Sequence, residues 1–334
     1  MLAIASAAAG VASAQAQAPE DFGPYAVQSH QVSIPVPVDP RGPEGVLPSV
    51  NAEVYVPVGT GPYPLVQISH AWPGTLREFP LSGWANRLAS RGMVVIVSDR
   101  RAGSNLTPSP SLDQPADLVD LSTDVNSEDI LRVLRWAIAQ SGAPSSFLSG
   151  QVDSTRVAIA GHSLGAYYAT FAAIKAQTEG PALSALVLLD PSDERLGANT
   201  LDSSLSVSPQ VKIPTIVLAS EENQHPVMCN MNQGTDCTLV APQQYAALTG
   251  TAQRLGIKIV GSVHEDVEDP STQTAPGTAT HLQMFERYGM AWIEYWAAGD
   301  CTVTSYLNGS SALADQSAGQ ISIFGGGLPA PTCA

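Results

Sequence analysis

Apolar and polar residues alternate along Gln31–Val38 and Ala52–Val58, the period-two pattern of half-buried antiparallel strands. Between them, the Pro- and Gly-rich stretch Asp39–Pro48 predicts a turn. The pattern then changes. Pro64–Ser69, Met93–Ser98, Val157–Ala160, Ala185–Leu189, Pro214–Ala219 and Ile257–Val260 are short, nearly continuous apolar runs. Helical periodicity predicts Leu81–Arg91, Asn126–Ala139, Ala166–Gln177, Ala241–Leu255 and His281–Ala297 as the segments between and after them. Continuous apolar strands alternating with helices predict an α/β fold, a mostly parallel sheet covered on both faces. In the second helix Asn126 is the expected N-cap, and Glu128 and Asp129 fall in the first turn, complementing the helix dipole. Trp292, Tyr295 and Trp296 in the last helix read as core packing.

Composition narrows the partners. The 334 residues carry a net charge of −15, with lysine confined to Lys175, Lys212 and Lys258. Such a surface argues against nucleic acid and anionic membranes and suits neutral or cationic substrates. Residues 1–18 are Ala-rich and uncharged, with an apolar stretch Leu2–Ala12 and an Ala12-Ser13-Ala14 site, which reads as a secretory signal without its basic start. The expectation is a secreted or periplasmic protein without a stable membrane anchor, with one catalytic domain over residues 19–298 and a tail over 299–334. Cys229, Cys237, Cys301 and Cys333 all lie in the C-terminal third; in an exported chain they predict two disulfides, with Cys229–Cys237 and Cys301–Cys333 the favoured pairing, which pins the tail. Their spacing does not suit zinc, and neither metal nor cofactor is expected.

The chemistry centres on Arg156–Gly165. The strand Val157–Ala160 runs straight into Gly161-His162-Ser163-Leu164-Gly165 and then a helix, the strand, G-x-S-x-G, helix order of a nucleophile elbow. A serine hydroxyl needs a base to take its proton and a turn that holds it clear of the sheet. If Ser163 is the nucleophile, a carboxylate and then an imidazole are expected later in the chain. Of six histidines only His225, His264 and His281 follow Ser163, and His264 is favoured because it leaves the carboxyl end of the last strand of the sheet. His281 opens a helix, where a surface or capping role fits better. For the acid, Asp190 ends one strand, while Glu221 and Glu222 end the next, and spacing alone does not choose between them.

Ile68-Ser69-His70-Ala71-Trp72, the Gly161–Gly165 elbow, Leu189-Asp190-Pro191 and Gly261-Ser262-Val263-His264 together resemble the α/β-hydrolase superfamily. The likeness is to its platelet-activating-factor acetylhydrolase and chlorophyllase branch, relatives of the cutinase-like polyesterases, and it covers about Ala52–Ala297. It implies an α/β-hydrolase fold with a sheet of eight strands and a triad of Ser163, His264 and, by the acetylhydrolase pattern, Asp190. In the cutinase-like branch the acid follows the next strand, where this chain offers Glu221-Glu222-Asn223 in place of the expected Asp. The resemblance further implies an oxyanion hole made by the N–H groups of Leu164 and Trp72, since Pro73 has none. Ala71 stands where that family usually has glycine.

The function expected from these residues is a secreted serine esterase, hydrolysing neutral carboxylic esters through an acyl-enzyme without a cofactor. A cutinase-like polyesterase is the first alternative, since export and a solvent-facing site with no obvious large lid insertion would suit polymeric esters; the long loops Ala102–Thr123 and Glu222–Val240 are expected to shape the binding site. A catalytically inactive binding protein on the same scaffold is the alternative of another class.

Overall fold

The β-branched and aliphatic runs assemble into one sheet, seen in a computed structural model that describes residues 17–37, 49–71, 81–99, 123–193, 203–222, 239–269 and 278–326. Its strands are β1 (Val27–Pro35), β2 (Ser49–Pro57), β3 (Tyr63–Ser69), β4 (Val94–Ser98), β5 (Val152–His162), β6 (Ala185–Leu189), β7 (Thr215–Glu222), β8 (Arg254–Val263) and β9 (Ile321–Gly325). They lie in the order β1-β2-β4-β3-β5-β6-β7-β8-β9. From β4 to β8 neighbours run parallel, while β1 on β2, β2 on β4 and β9 on β8 are antiparallel.

The α-helices of five or more residues among the described residues are α1 (Ser82–Ser90), α2 (Thr123–Ser141), α3 (Leu164–Glu179), α4 (Val240–Ala247), α5 (Thr278–Ile293), α6 (Thr304–Asn308) and α7 (Ser310–Ser317). Side chains of a strand alternate between faces, so the sheet feeds two cores. Val66, Val187 and Leu189 pack with Trp84 of α1 and with Phe285, Tyr288 and Trp292 of α5. On the opposite face Leu65, Ile159, Leu186 and Leu188 pack with Leu131 and Leu134 of α2 and Tyr167 of α3. As expected, Trp292 belongs to the core, and Tyr295 and Trp296 pack against it half-buried.

Four expectations need correction. The sheet has nine strands among the described residues, not eight. The ninth lies in the segment read as a tail: residues 301–326 form a 3-10 turn, α6, α7 and β9, because Ile321 and Ile323 alternate as a strand and meet the otherwise unpaired edge of β8. Asp315 of α7 takes two bonds from Arg287 Nη1 (2.7 and 2.8 Å) and one from Tyr288 Oη (2.8 Å), fastening that segment to α5. Asn126 is not an N-cap but lies buried within α2, which begins three residues earlier; Glu128 instead anchors Arg135 (2.9 Å) and Lys175 (3.3 Å). The helix expected over Ala241–Leu255 ends at Ala247, since β8 starts at Arg254 and the intervening Gly250 lies so close to Pro209 and Val211 that an added Cβ would come within 2.3 Å of a carbonyl oxygen.

The parallel register aligns the carboxyl ends of the central strands. Ser69 of β3 stands opposite Gly161 of β5, His162 opposite Leu189 of β6, and Leu189 opposite Leu218 of β7. The residues that follow these ends therefore share one rim, where ligands of open parallel sheets bind.

Candidate active site

Ser163 sits between β5 and α3 with φ 55° and ψ −118°, a conformation costly for a residue with a Cβ. Its backbone is held by Ser163 N–H donating to Leu189 O (3.0 Å) and by Ser163 O accepting from Ala166 N–H (3.0 Å). The flanking glycines make the turn sterically possible. A Cβ on Gly161 would lie 2.3 Å from backbone atoms of Gly165, and one on Gly165 would lie 2.3 Å from Ser69 O. Leu164, the first residue of α3, has an N–H with no intrahelical acceptor, at the positive end of the helix.

Asp190 is the second non-glycine residue with positive φ among the described residues, at 40°. It ends β6 fully buried, and its N–H donates to Leu218 O (2.7 Å). Its carboxylate takes three bonds, from Ser220 N–H (2.9 Å), Ser220 Oγ–H (2.7 Å) and His264 Nδ1 (2.6 Å). Burial works to raise its pKa, but the bond and charge of His264 and the two bonds from Ser220 outweigh it and hold the carboxyl below the usual range. For His264 burial works to lower the pKa, yet Asp190 together with Glu265 and Glu268 moves it above the ordinary imidazole value. With Nδ1 taken by Asp190, Nε2 is the nitrogen left to exchange protons.

The turn that carries His264 is braced from several sides. Asp266 accepts from Val263 N–H (2.9 Å) and pairs with His281 Nδ1 (2.7 Å). Glu221 accepts from Lys258 Nζ and Gly261 N–H (2.8 Å each), and Trp84 Nε1–H donates to Val267 O (2.9 Å). The two acids weighed against Asp190 thus stand elsewhere. Glu221 holds the β8 end in place, and Glu222 is exposed at the close of β7, opposite Val263. His281 is a brace for the histidine turn rather than a helix cap.

Sequence reasoning missed Ser220, His162 and Glu268. His162 is buried with its ring 4.6 Å from that of His264, and Glu268 is buried beside it. Only the placement of His162 next to Ser163 hints at the first; Ser220 and Glu268 carry no local signal. His70 is buried with Nδ1 2.7 Å from Ala71 O. Trp72, Cys229, Cys237 and Cys333 lie outside the described residues. Cys301 is disulfide-bonded. No group of three or more His, Cys, Asp or Glu residues suited to a metal ion occurs among the described residues.

The chain matches known proteins over nearly its whole length. A family model described as PET hydrolase-like matches residues 6–322. Among curated proteins, Cutinase 1 of Thermobifida cellulosilytica is 24% identical over 260 residues, covering 76% of each chain. A cutinase of Thermobifida fusca (strain YX) is 24% identical over 260 residues, 76% of this chain and 66% of its own. Cutinase 2 of Thermobifida cellulosilytica is 24% identical over 255 residues, 76% of each chain. These matches fall on the polyesterase side of the resemblance seen in the motifs. Nine strands in this order, an elbow at the centre and a family model spanning residues 6–322 lead to one assignment: the chain belongs to the PET hydrolase-like family of the α/β-hydrolase superfamily.

Proposed function

We propose that the protein is a serine hydrolase of carboxylic esters, polyesters among them, that works through an acyl-enzyme with Ser163, His264 and Asp190 as its triad. The observation that carries the reading is the 2.6 Å bond between His264 Nδ1 and the buried carboxylate of Asp190, on the same rim as the strained Ser163. His264 Nε2 takes the proton of Ser163 as Oγ attacks the ester carbonyl. Asp190 fixes the imidazole tautomer and balances the imidazolium that forms, with Ser220 keeping the carboxylate ionised and in place. The N–H groups of Leu164 and Trp72 receive the negative oxygen; losing one such donor typically costs roughly 10²- to 10³-fold in rate. His264 then protonates the departing alcohol, and water repeats the cycle on the acyl-enzyme. No step calls for a cofactor.

Membership of a polyester-hydrolysing family, and relatives named cutinases, support polyesters as substrates. Export, with residues 1–18 as the signal, fits a polymer too large to enter a cell, and no described helix is long and apolar enough to cross a membrane. The test measures turnover of p-nitrophenyl acetate and butyrate and release of soluble products from an amorphous polyester film. Wild type should act on both, and Ser163→Ala on neither. Turnover undiminished by Ser163→Ala would overturn the triad, and an intact film beside rapid p-nitrophenyl ester cleavage would overturn the polyester assignment.

A further inference from the structure

The segment that begins with the candidate base reads His264-Glu265-Asp266-Val267-Glu268-Asp269, and three of its residues have plain structural work. Asp266 braces the turn, Val267 is buried in the core, and Asp269 accepts from Ser82 Oγ–H and Gly83 N–H (2.8 Å each) at the start of α1. Glu268 differs. Its buried carboxyl places Oε1 3.1 Å from Nδ1 of buried His162, at ion-pair distance though not aligned as a hydrogen bond. The other nitrogen of His162, Nε2, lies 3.0 Å from the backbone oxygen of His264, and the two imidazoles are tilted by 40° at 4.6 Å.

This geometry dictates a proton count. A carbonyl oxygen only accepts, so Nε2 of His162 carries a hydrogen. Neutral imidazole has one N–H, which leaves Nδ1 with a lone pair facing Glu268. An ionised carboxylate there sets lone pair against lone pair in a buried site; one proton on the pair relieves this. The surroundings act in the same sense. Burial pushes Glu268 up to about 8, with Glu265 and Asp269 adding to it and His264 opposing. Burial, then His264, pushes His162 down to about 3 against Asp190 and Glu265.

We propose that His162 and Glu268 are a positioning pair for His264, with the extra proton carried on the carboxyl of Glu268 and His162 fixing the backbone carbonyl and ring of the histidine that serves Ser163. The inference rests on the triad reading above. With the proton in place the pair is neutral and His162 clamps the histidine turn. When it leaves at alkaline pH, a buried carboxylate faces Nδ1, the clamp loosens, and turnover falls while substrate affinity does not.

The test is kcat and KM for p-nitrophenyl butyrate across about pH 6–10 in the wild type and in Glu268→Gln, Glu268→Ala, His162→Phe and Ser163→Ala, with melting curves as the folding control. Wild-type kcat should fall about fivefold or more between about pH 7 and pH 9.5, with KM steady. Glu268→Gln has no proton to lose and an amide to offer Nδ1. It should lower kcat by about threefold at neutral pH and abolish the alkaline fall. Glu268→Ala and His162→Phe should lower kcat by about tenfold or more at every pH with KM within about twofold. An alkaline fall in Glu268→Gln that matches the wild type, or no fall in the wild type, overturns the proposal. So do Glu268→Ala and His162→Phe enzymes with wild-type kcat. If Glu268→Ala does not fold, the glutamine and phenylalanine variants decide. An active Ser163→Ala enzyme would instead sink the triad reading itself.

Discussion

Replacing Gly165 with alanine perturbs the contact that sets the elbow. A Cβ at this position lies 2.3 Å from Ser69 O and 2.7 Å from His70 O, whereas carbon and carbonyl oxygen ordinarily approach to about 3.3–3.6 Å. The overlap is therefore about 1 Å. Both oxygens belong to the backbone at the end of β3, so no flexible side chain gives way. Relief requires α3 to move off the sheet, and overpacking of this kind costs about 1–3 kcal/mol. At about 2–4 °C per kcal/mol for a chain of more than about 150 residues, the melting midpoint should drop by about 2–12 °C. The shift carries Ser163 and the Leu164 N–H with it, and a displacement of about 1 Å costs on the order of 10²-fold in kcat. Gly142→Ala is the control, since its Cβ would lie 3.5 Å from Ala139 O, an ordinary contact. Thermal melting and p-nitrophenyl butyrate turnover measure both effects. A Gly165→Ala enzyme that melts within about 1 °C of wild type and keeps kcat within about twofold would refute this account of the elbow.

Other expectations follow from the same geometry. Asp190→Asn should lower kcat by about 10⁴-fold through loss of the correct imidazole tautomer, while Glu222→Gln should stay within about twofold; the reverse ranking in a steady-state assay would move the acid to Glu222. Because His264 must be neutral to act as base and its pKa lies above the ordinary value, kcat/KM should rise with pH through a midpoint above about 6.5, and a midpoint at or below that value would contradict the Asp190 pairing. Burial pushes Glu268 and Glu286 up to about 8 and Glu294 up to about 7. The folded chain thus binds protons that the unfolded chain has lost above about pH 4.5, and stability should decrease as pH rises through these values; a melting point at pH 8.5 equal to that at about pH 6.5 would count against it. Arg91→Ala strands the buried carboxylate of Glu294, which accepts from Arg91 Nη2 at 3.1 Å, and should cost about 3–5 kcal/mol in denaturant unfolding.

The strand-ending residues were the legible part of the site. Ala185–Leu189 matches its strand to the residue, because Ser184 and Asp190 bound a run of purely apolar side chains. Ser163, Asp190 and His264 each directly follow the end of a strand, so the parallel topology sends them to one rim. The choice between Asp190 and Glu222 was not local: it depends on Ser220 and His264 reaching the carboxylate of Asp190 from two other strands. Glu268 was illegible for a similar reason, since an acid among four in six residues reads as a solvated turn until His162 is seen packed against it. Hydrophobic periodicity also overran at Leu248–Leu255, where apolar residues continue past the helix into β8 and only the Thr249-Gly250-Thr251 break marks the boundary.

The antiparallel seating of β9 on β8 ties a segment made after Ser163, Asp190 and His264 to the strand that leads into His264. Until residue 325 has emerged, the edge of β8 offers unpaired N–H and C=O groups to any strand that meets it, a template for association between incomplete chains. Synthesis delivers Ser163 and Asp190 well before this edge is closed. A chain ended at Gly299 would retain every residue of the proposed triad and lose the element that keeps its sheet to itself, so it should be caught in aggregates before it is found inactive.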